Sequence, residues 1–238
     1  MAERRIVASC RAWIPSAGGR TFRIAYIRAF LLCMEKLMWI VAVVVALIVY
    51  DFLKAPIDLL YFQNPWRPLV GIRNTLIDMF LHRRRYDHND YPGLWKVKAH
   101  FDEIRREFYD LFPKTNKYYF HDLDTWFDKK NTYYYYKAED FPKVYELLTS
   151  IPCVDETTAV FSVIEGPMII PPHRAESNTQ LRYHLTIESG KDCILETEYD
   201  EHMHLTGEEF LFDHARYHAL EKHGNARRVT LILDIRRY

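Results

Sequence analysis

Three residues carry the chemistry this sequence allows. His173 and His218 lie in two strand-like segments of the C-terminal half, and Arg228 follows the second histidine inside an apolar stretch. A neutral imidazole is a good ligand for iron(II), and the common non-haem site takes two histidines and one carboxylate on one face of the metal. Arg228 opens the run Val229-Thr230-Leu231-Ile232-Leu233. A guanidinium entering such a strand incurs a desolvation penalty unless it pairs, and a bidentate carboxylate is the usual partner. The three residues together are what an iron site that also binds a dicarboxylate co-substrate needs. His202, His204, His214 and His223 read as surface histidines, and Arg227 as the outward-facing neighbour of Arg228.

The elements that must position these residues are short strands. From Thr158 onward, turn signals recur at Glu165-Gly166-Pro167, Ser189-Gly190, Thr206-Gly207 and His223-Gly224-Asn225, a spacing that predicts a sandwich or small barrel. In Leu181-Arg182-Tyr183-His184-Leu185-Thr186 the alternation of strand side chains puts Arg182, His184 and Thr186 on one face. That face is either exposed or lines a polar cavity. Upstream, Val97, Phe101, Ile104, Phe108 and Leu111 recur at helical spacing and predict one amphipathic helix over Trp95 to Leu111. Thr132 to Tyr136 reads as a strand, and Pro142 to Leu148 as a helix with proline in its first turn.

Composition narrows the class. Lysine plus arginine equals aspartate plus glutamate at 32 each, so no global basic field argues for nucleic acid. Aromatic residues make up 15% of the chain, which suits a β-rich half. Cys10, Cys33, Cys153 and Cys193 show no metal-ligand spacing and read as idle or buried thiols.

Leu37 to Tyr50 is an uninterrupted apolar run, and Ala29 to Leu53 is long enough to span a bilayer with Glu35, Lys36 and Asp51 near its interfaces. The alternatives are a buried helix and a signal-peptide core. The expected organisation is a tail over 1–36, a transmembrane anchor over 37–53, a connector over 54–91 and one catalytic domain over 92–238. Seven basic residues before the run favour a cytoplasmic N-terminus, whereas a start at Met34 or Met38 would let Arg83, Arg84 and Arg85 hold the domain in the cytoplasm. Leu76 to Leu81, ending in that arginine cluster, reads either as a membrane-surface segment or as a solvated linker with a packed helix.

The stretches Ala159 to Ile164, Pro172-His173-Arg174, Leu181 to Leu185, Phe212-Asp213, Tyr217-His218 and Arg228 to Asp234 resemble the aspartyl/asparaginyl β-hydroxylase family of iron(II) and 2-oxoglutarate dependent dioxygenases, which includes lipid A acyl-chain hydroxylases. The resemblance covers Phe141 to the C-terminus well and Trp95 to Leu111 weakly. It implies a mainly β, double-stranded β-helix domain of jelly-roll or cupin-like form, with flanking helices and an N-terminal transmembrane helix. It implies His173 and His218 as metal ligands, and Arg228 with Ser162 on the distal carboxylate of 2-oxoglutarate. Arg182 and His184 would complete that pocket or hold a substrate carboxylate, so the resemblance favours the polar cavity.

The carboxylate position of the metal motif is Ala175, a departure from most of the superfamily that resembles the peptide branch of the family, although Leu181 to Leu185 and His173-Arg174 read more like the lipid branch; Glu176 is one residue off register. The implied reaction consumes dioxygen and 2-oxoglutarate and hydroxylates an unactivated carbon, either the β-carbon of Asp or Asn in a polypeptide or an acyl chain of a membrane lipid. A membrane-anchored jelly-roll module that binds without turnover is the third reading.

Overall fold

The structure, a computed structural model, describes residues 21–54, 64–119 and 132–237, with side chains in the first helix from Ile27 onward. The expected N-terminal tail up to residue 20 and the connector's residues 55–63 lie outside the described residues. Contacts divide the chain into two compact units, Met1–Val49 and Tyr50–Tyr238. Among its described residues the first holds helix α1 (Thr21–Leu53), whose last turn belongs to the second unit. Ile27–Leu53 is long and apolar enough to cross a membrane, a weak indication of a single span because a signal sequence or a core helix meets the same test.

The second unit is built on two antiparallel sheets. The larger has the order β1 (Tyr118–Tyr119), β2 (Tyr133–Lys137), β3 (Val154–Ile164), β10 (Arg228–Arg236), β5 (Gln180–Glu188) and β8 (Glu209–Phe212). The smaller runs β4 (Met168–His173), β9 (His218–Lys222), β6 (Cys193–Thr197) and β7 (Glu201–Met203). From β3 onward the chain alternates between the sheets in jelly-roll fashion, except that β6 and β7 form a hairpin within the smaller one, and Gly166 and Gly207 take positive φ in two of the expected turns.

Strand alternation gives the large sheet two different faces. Val229, Leu231, Leu233 and Ile235 of β10, with Leu181, Tyr183, Leu185 and Ile187 of β5, enter the main core. That core is closed by α3 (Trp95–Ala99), α4 (Phe101–Leu111) and α5 (Pro142–Thr149) through Val97, Ile104, Phe108, Val144 and Leu148. Phe108 is its aromatic centre, with the rings of Phe112, Tyr136, Phe141 and Phe161 all within 6 Å between centroids. The opposite face looks into the space between the sheets. A smaller apolar cluster of Ile164, Met168, Ile170, Cys193, Leu195, Phe210, Phe212 and Leu220 lies there.

The single helix expected over Trp95 to Leu111 is two helices. His100, at φ −99° and ψ 22°, leaves helical geometry, and its Nδ1 donates to the Lys96 carbonyl at 2.8 Å, a side-chain bond competing with helix continuation.

The connector contains helix α2 (Arg67–Leu81), started by Pro68 in its first turn. It is attached by polar groups. Asn74 donates to the Glu176 carbonyl at 2.8 Å, Asn178 donates to the Asn74 carbonyl at 2.8 Å and to Asp78 at 2.7 Å, and Arg67 pairs with buried Asp51 at 2.9 Å. Arg174 also faces Asp51, at 3.8 Å.

Candidate active site

His173 ends β4 and His218 begins β9, and the two are direct cross-strand partners. β4 is an edge strand, which is where Pro171 and Pro172 can be accommodated, and a register shift before His173 re-aims it. The imidazole centroids are 4.2 Å apart. Each Nδ1 sits 2.9 Å from a backbone carbonyl, that of Pro171 for His173 and that of Arg216 for His218. A carbonyl can only accept, so each Nδ1 carries the hydrogen and each Nε2 keeps its lone pair. A carbonyl partner on the far ring nitrogen fixes the tautomer and orients a histidine for a metal. His218 is buried and its pKa is lowered to about 3, chiefly by desolvation and then by His173. His173 is open to solvent at the rim, although protein packed on its inner side also lowers its pKa. Both rings are therefore neutral near neutral pH, the form a metal requires.

The position after the first histidine motif is filled as the sequence anticipates. Ala175 has no ligating atom, and its backbone N–H donates to the His214 carbonyl at 2.8 Å. The exposed Glu176 turns away, its carboxylate accepting from Asn64 at 3.1 Å.

Behind the histidines lies a polar patch on the inner face of the large sheet. Thr230 is paired with Ser162 of β3 on one side and Thr186 of β5 on the other. Arg228, two residues before Thr230, shares that face. Its guanidinium is 1% exposed and donates to Ser162 Oγ at 3.2 Å and towards His204 Nε2 at 3.3 Å, while its Nε has no partner. No carboxylate among the described residues pairs with it. Burial pushes the Arg228 pKa down, offset only by Cys193 and Tyr133. A buried cation with spare N–H groups and no protein counter-ion is fitted to a carboxylate from outside.

His184, on the same face of β5, is buried with neither ring nitrogen hydrogen-bonded, and it stands 5.1 Å from the ring of Phe210 and 5.2 Å from that of Phe212. Burial, then His204 and Arg228, hold its pKa well below the ordinary histidine range. Thus His173, His218, Arg228, Ser162 and His184 border one interior. Arg182 is at its edge, with Nε and Nη2 held on Asp234 at 3.1 and 3.0 Å.

Two histidines expected at the surface are buried. His204 is fully enclosed: its backbone N–H bonds the Cys193 carbonyl, and the Thr206-Gly207 turn is fixed when Gly207 bonds the Thr186 carbonyl, each at 2.8 Å. Because Arg228 can only donate, His204 Nε2 accepts and its Nδ1 donates to Thr186 Oγ1 at 3.0 Å. The ring thereby holds the guanidinium in place. His214 is buried beneath the rim, whereas His202 is half-buried and His223 is exposed.

Asp78, His82 and Asp213 also place ligating atoms within 4.8 Å of one another. Lys54, Arg216 and Arg237 already surround the two carboxylates. A dication added there would face three cations at short range, so the His173 and His218 pair is the better metal site.

A cleft of about 330 Å³ opens beside the interior. Phe210 and Phe212 form its inner wall, and Arg83, Arg84, Arg85, Tyr199 and Arg216 line its outer part. Phe212 stands 5.3 Å from His218, between the cleft and the histidine pair.

Solved structures similar to this chain include cupins. One is a sugar phosphate isomerase from Silicibacter pomeroyi (11% identity, 52% of this chain and 73% of that chain, TM-score 0.36). Others are a predicted oxalate decarboxylase from Thermotoga maritima (9%, 44% and 80%, 0.32) and a cupin domain from Schizosaccharomyces pombe (8%, 36% and 57%, 0.29). The chain spans 57% of that last domain's length. At this level of likeness the fold rests on its own strand order. No curated protein matches the sequence. The family model for aspartyl/asparaginyl β-hydroxylases matches residues 98–238, a stretch that holds every strand of both sheets. With more than half of its length matched, the chain belongs to the aspartyl/asparaginyl β-hydroxylase family.

Proposed function

We propose that residues 92–238 form an iron(II) and 2-oxoglutarate dependent dioxygenase domain, joined through a connector over 54–91 to a single-pass membrane anchor. Its substrate is the β-carbon of an Asp or Asn side chain in a polypeptide. The observation that carries this reading is Arg228, a buried guanidinium that pairs with no carboxylate among the described residues, on the sheet face behind two neutral histidines whose Nδ1 atoms are taken up by backbone carbonyls.

His173 and His218 would hold the iron, and iron with 2-oxoglutarate and dioxygen supplies the oxidising power for an unactivated C–H bond. The chain's own residues do the positioning. Arg228 and Ser162 bind the distal carboxylate, and His204 keeps the guanidinium aimed at it. His184, neutral and without a protein partner, contributes a hydrogen bond inside the pocket, while Phe210 and Phe212 keep water from the interior. Arg182, shared with Asp234 at the rim, is placed to meet a substrate carboxylate. Ala175 leaves the third protein position of the metal without a side-chain ligand, which favours the peptide-hydroxylating branch.

A membrane lipid acyl chain is the second reading, favoured by the arginine-lined cleft and the apolar helix. The test is succinate formation from 2-oxoglutarate with iron(II), with and without Asp- or Asn-containing peptides and lipids. Stimulation by peptide supports the first reading and stimulation by lipid alone the second. Absence of both succinate formation and 2-oxoglutarate binding overturns the dioxygenase proposal.

A further inference from the structure

Helix α2 is amphipathic the wrong way round for a soluble surface helix. Its face towards the domain is polar: Arg67, Asn74 and Thr75 are buried, and Asp78 is held by Asn178. Its outward face is apolar, with Trp66, Leu69, Leu76, Met79 and Phe80 exposed by 69, 54, 44, 66 and 79%. Four of these five, with Arg73 between them, recur at steps of three and four residues and so form one stripe along the helix. Every exposed side chain from Trp66 to Arg85 is apolar or an arginine. The acid within the helix is turned inward.

We propose that α2 lies in the headgroup region of an anionic bilayer, with Trp66, Leu69, Leu76 and Phe80 inserted, Arg73 and Arg84 against lipid phosphates, and the ion-paired Arg83 and Arg85 beside them. Charge selects this occupant. Arg83 is paired with Asp90 at 2.7 Å and Arg85 with Asp200 at 2.6 Å, which leaves Arg73 and Arg84 as the exposed arginines with no carboxylate partner among the described residues; a protein partner of an apolar stripe needs neither, whereas an anionic interface attracts both and an aromatic residue with a polar edge, such as Trp66, sits well at headgroup depth. Continuity along the chain agrees, since α2 follows shortly after a helix of spanning length. Arg83, Arg84 and Arg85 also line the cleft beside the active site. Docking of α2 therefore holds the cleft mouth at the bilayer surface, where lipids and membrane-proximal polypeptide segments are presented.

The test uses the full chain reconstituted in vesicles of phosphatidylcholine with phosphatidylglycerol. A photo-crosslinking benzoylphenylalanine replaces Phe80, Leu69 or, as control, the exposed Glu139; all three positions point to solvent, so the fold is kept. Lipid adducts several-fold more abundant at 80 and 69 than at 139, and falling when Arg83, Arg84 and Arg85 are all changed to Gln, are the expected result. Adducts chiefly to a second copy, adducts chiefly within the chain, or equal lipid adducts at all three positions would overturn the proposal. The readout does not depend on catalysis.

Discussion

Replacing Arg228 by Met separates the needs of folding from those of co-substrate binding. The guanidinium is 1% exposed and faces no acid among the described residues, so the folded chain bears its desolvation cost without an ion pair from them. Removing the charge relieves several kcal/mol of that cost. It leaves Ser162 Oγ and His204 Nε2 short of a donor, at about 1–3 kcal/mol for each group that stays unsatisfied. The two effects nearly cancel, and thermal unfolding without ligand should be unchanged or slightly raised. The co-substrate loses its partner outright. Truncating one side of a buried, hydrogen-bonded charge pair costs about 2–5 kcal/mol, so KM for 2-oxoglutarate should rise by a factor of roughly 30 to a few thousand. Scanning calorimetry with and without 2-oxoglutarate, using manganese in place of iron, tests both halves. The parent should be stabilised by the ligand, by about 2.7 kcal/mol at a hundred times Kd, and the variant hardly at all. A variant that unfolds many degrees earlier yet retains the ligand-induced stabilisation would refute the reasoning.

His173→Ala and His218→Ala should each abolish iron-dependent turnover while Glu176→Ala retains most of it; isothermal titration with manganese checks this, and equal loss in all three variants counts against a two-histidine site. Arg227→Ala should leave KM for 2-oxoglutarate nearly unchanged, because Arg227 pairs with Glu188 at 3.0 Å and stacks on Tyr109 and Phe112 on the helix side of the sheet. His184 and His204 are held neutral by burial, so below the ordinary value of about 6.5 the unfolded chain takes up protons that the folded one does not. Denaturant titrations should then show stability falling from pH 7 to pH 5, with a slope of up to about 1.4 kcal/mol per pH unit for each histidine; a flat profile would show that these rings protonate in place. Phe108→Ala should cost about 3–5 kcal/mol, read from the shift in denaturation midpoint, since the ring is fully enclosed by other aromatics.

Much of this arrangement could be read from residue order, because strand alternation is local. The face shared by Arg182, His184 and Thr186 follows from a period of two, and the structure turns it towards the interior. The strand over Tyr133 and its neighbours and the proline-started α5 were equally accessible. His204 was not. It sits in a polar segment, Glu201-His202-Met203-His204, that looks solvated, and only long-range bonds to Cys193 and Thr186 draw it inside. The break at His100 depends on one side-chain bond that leaves the apolar spacing intact. The inverted polarity of α2 was hidden for a related reason: spacing identifies two faces, whereas which of them meets the domain is settled by Asn74, Asp78 and Asn178.

Asp51 has a practical consequence for anyone who would excise a soluble enzyme. By hydropathy the obvious cut falls after Leu53, where the apolar helix ends. That cut discards the carboxylate that faces Arg67 and Arg174, both largely buried. Breaking a buried ion pair by removing one partner costs up to about 3–5 kcal/mol, a large part of a typical domain's stability. Arg174 also adjoins His173, so the damage would reach the histidine pair as well as the fold. A fragment beginning at Tyr50 retains the pair, and the last turn of the hydrophobic helix is better regarded as the first turn of the enzyme.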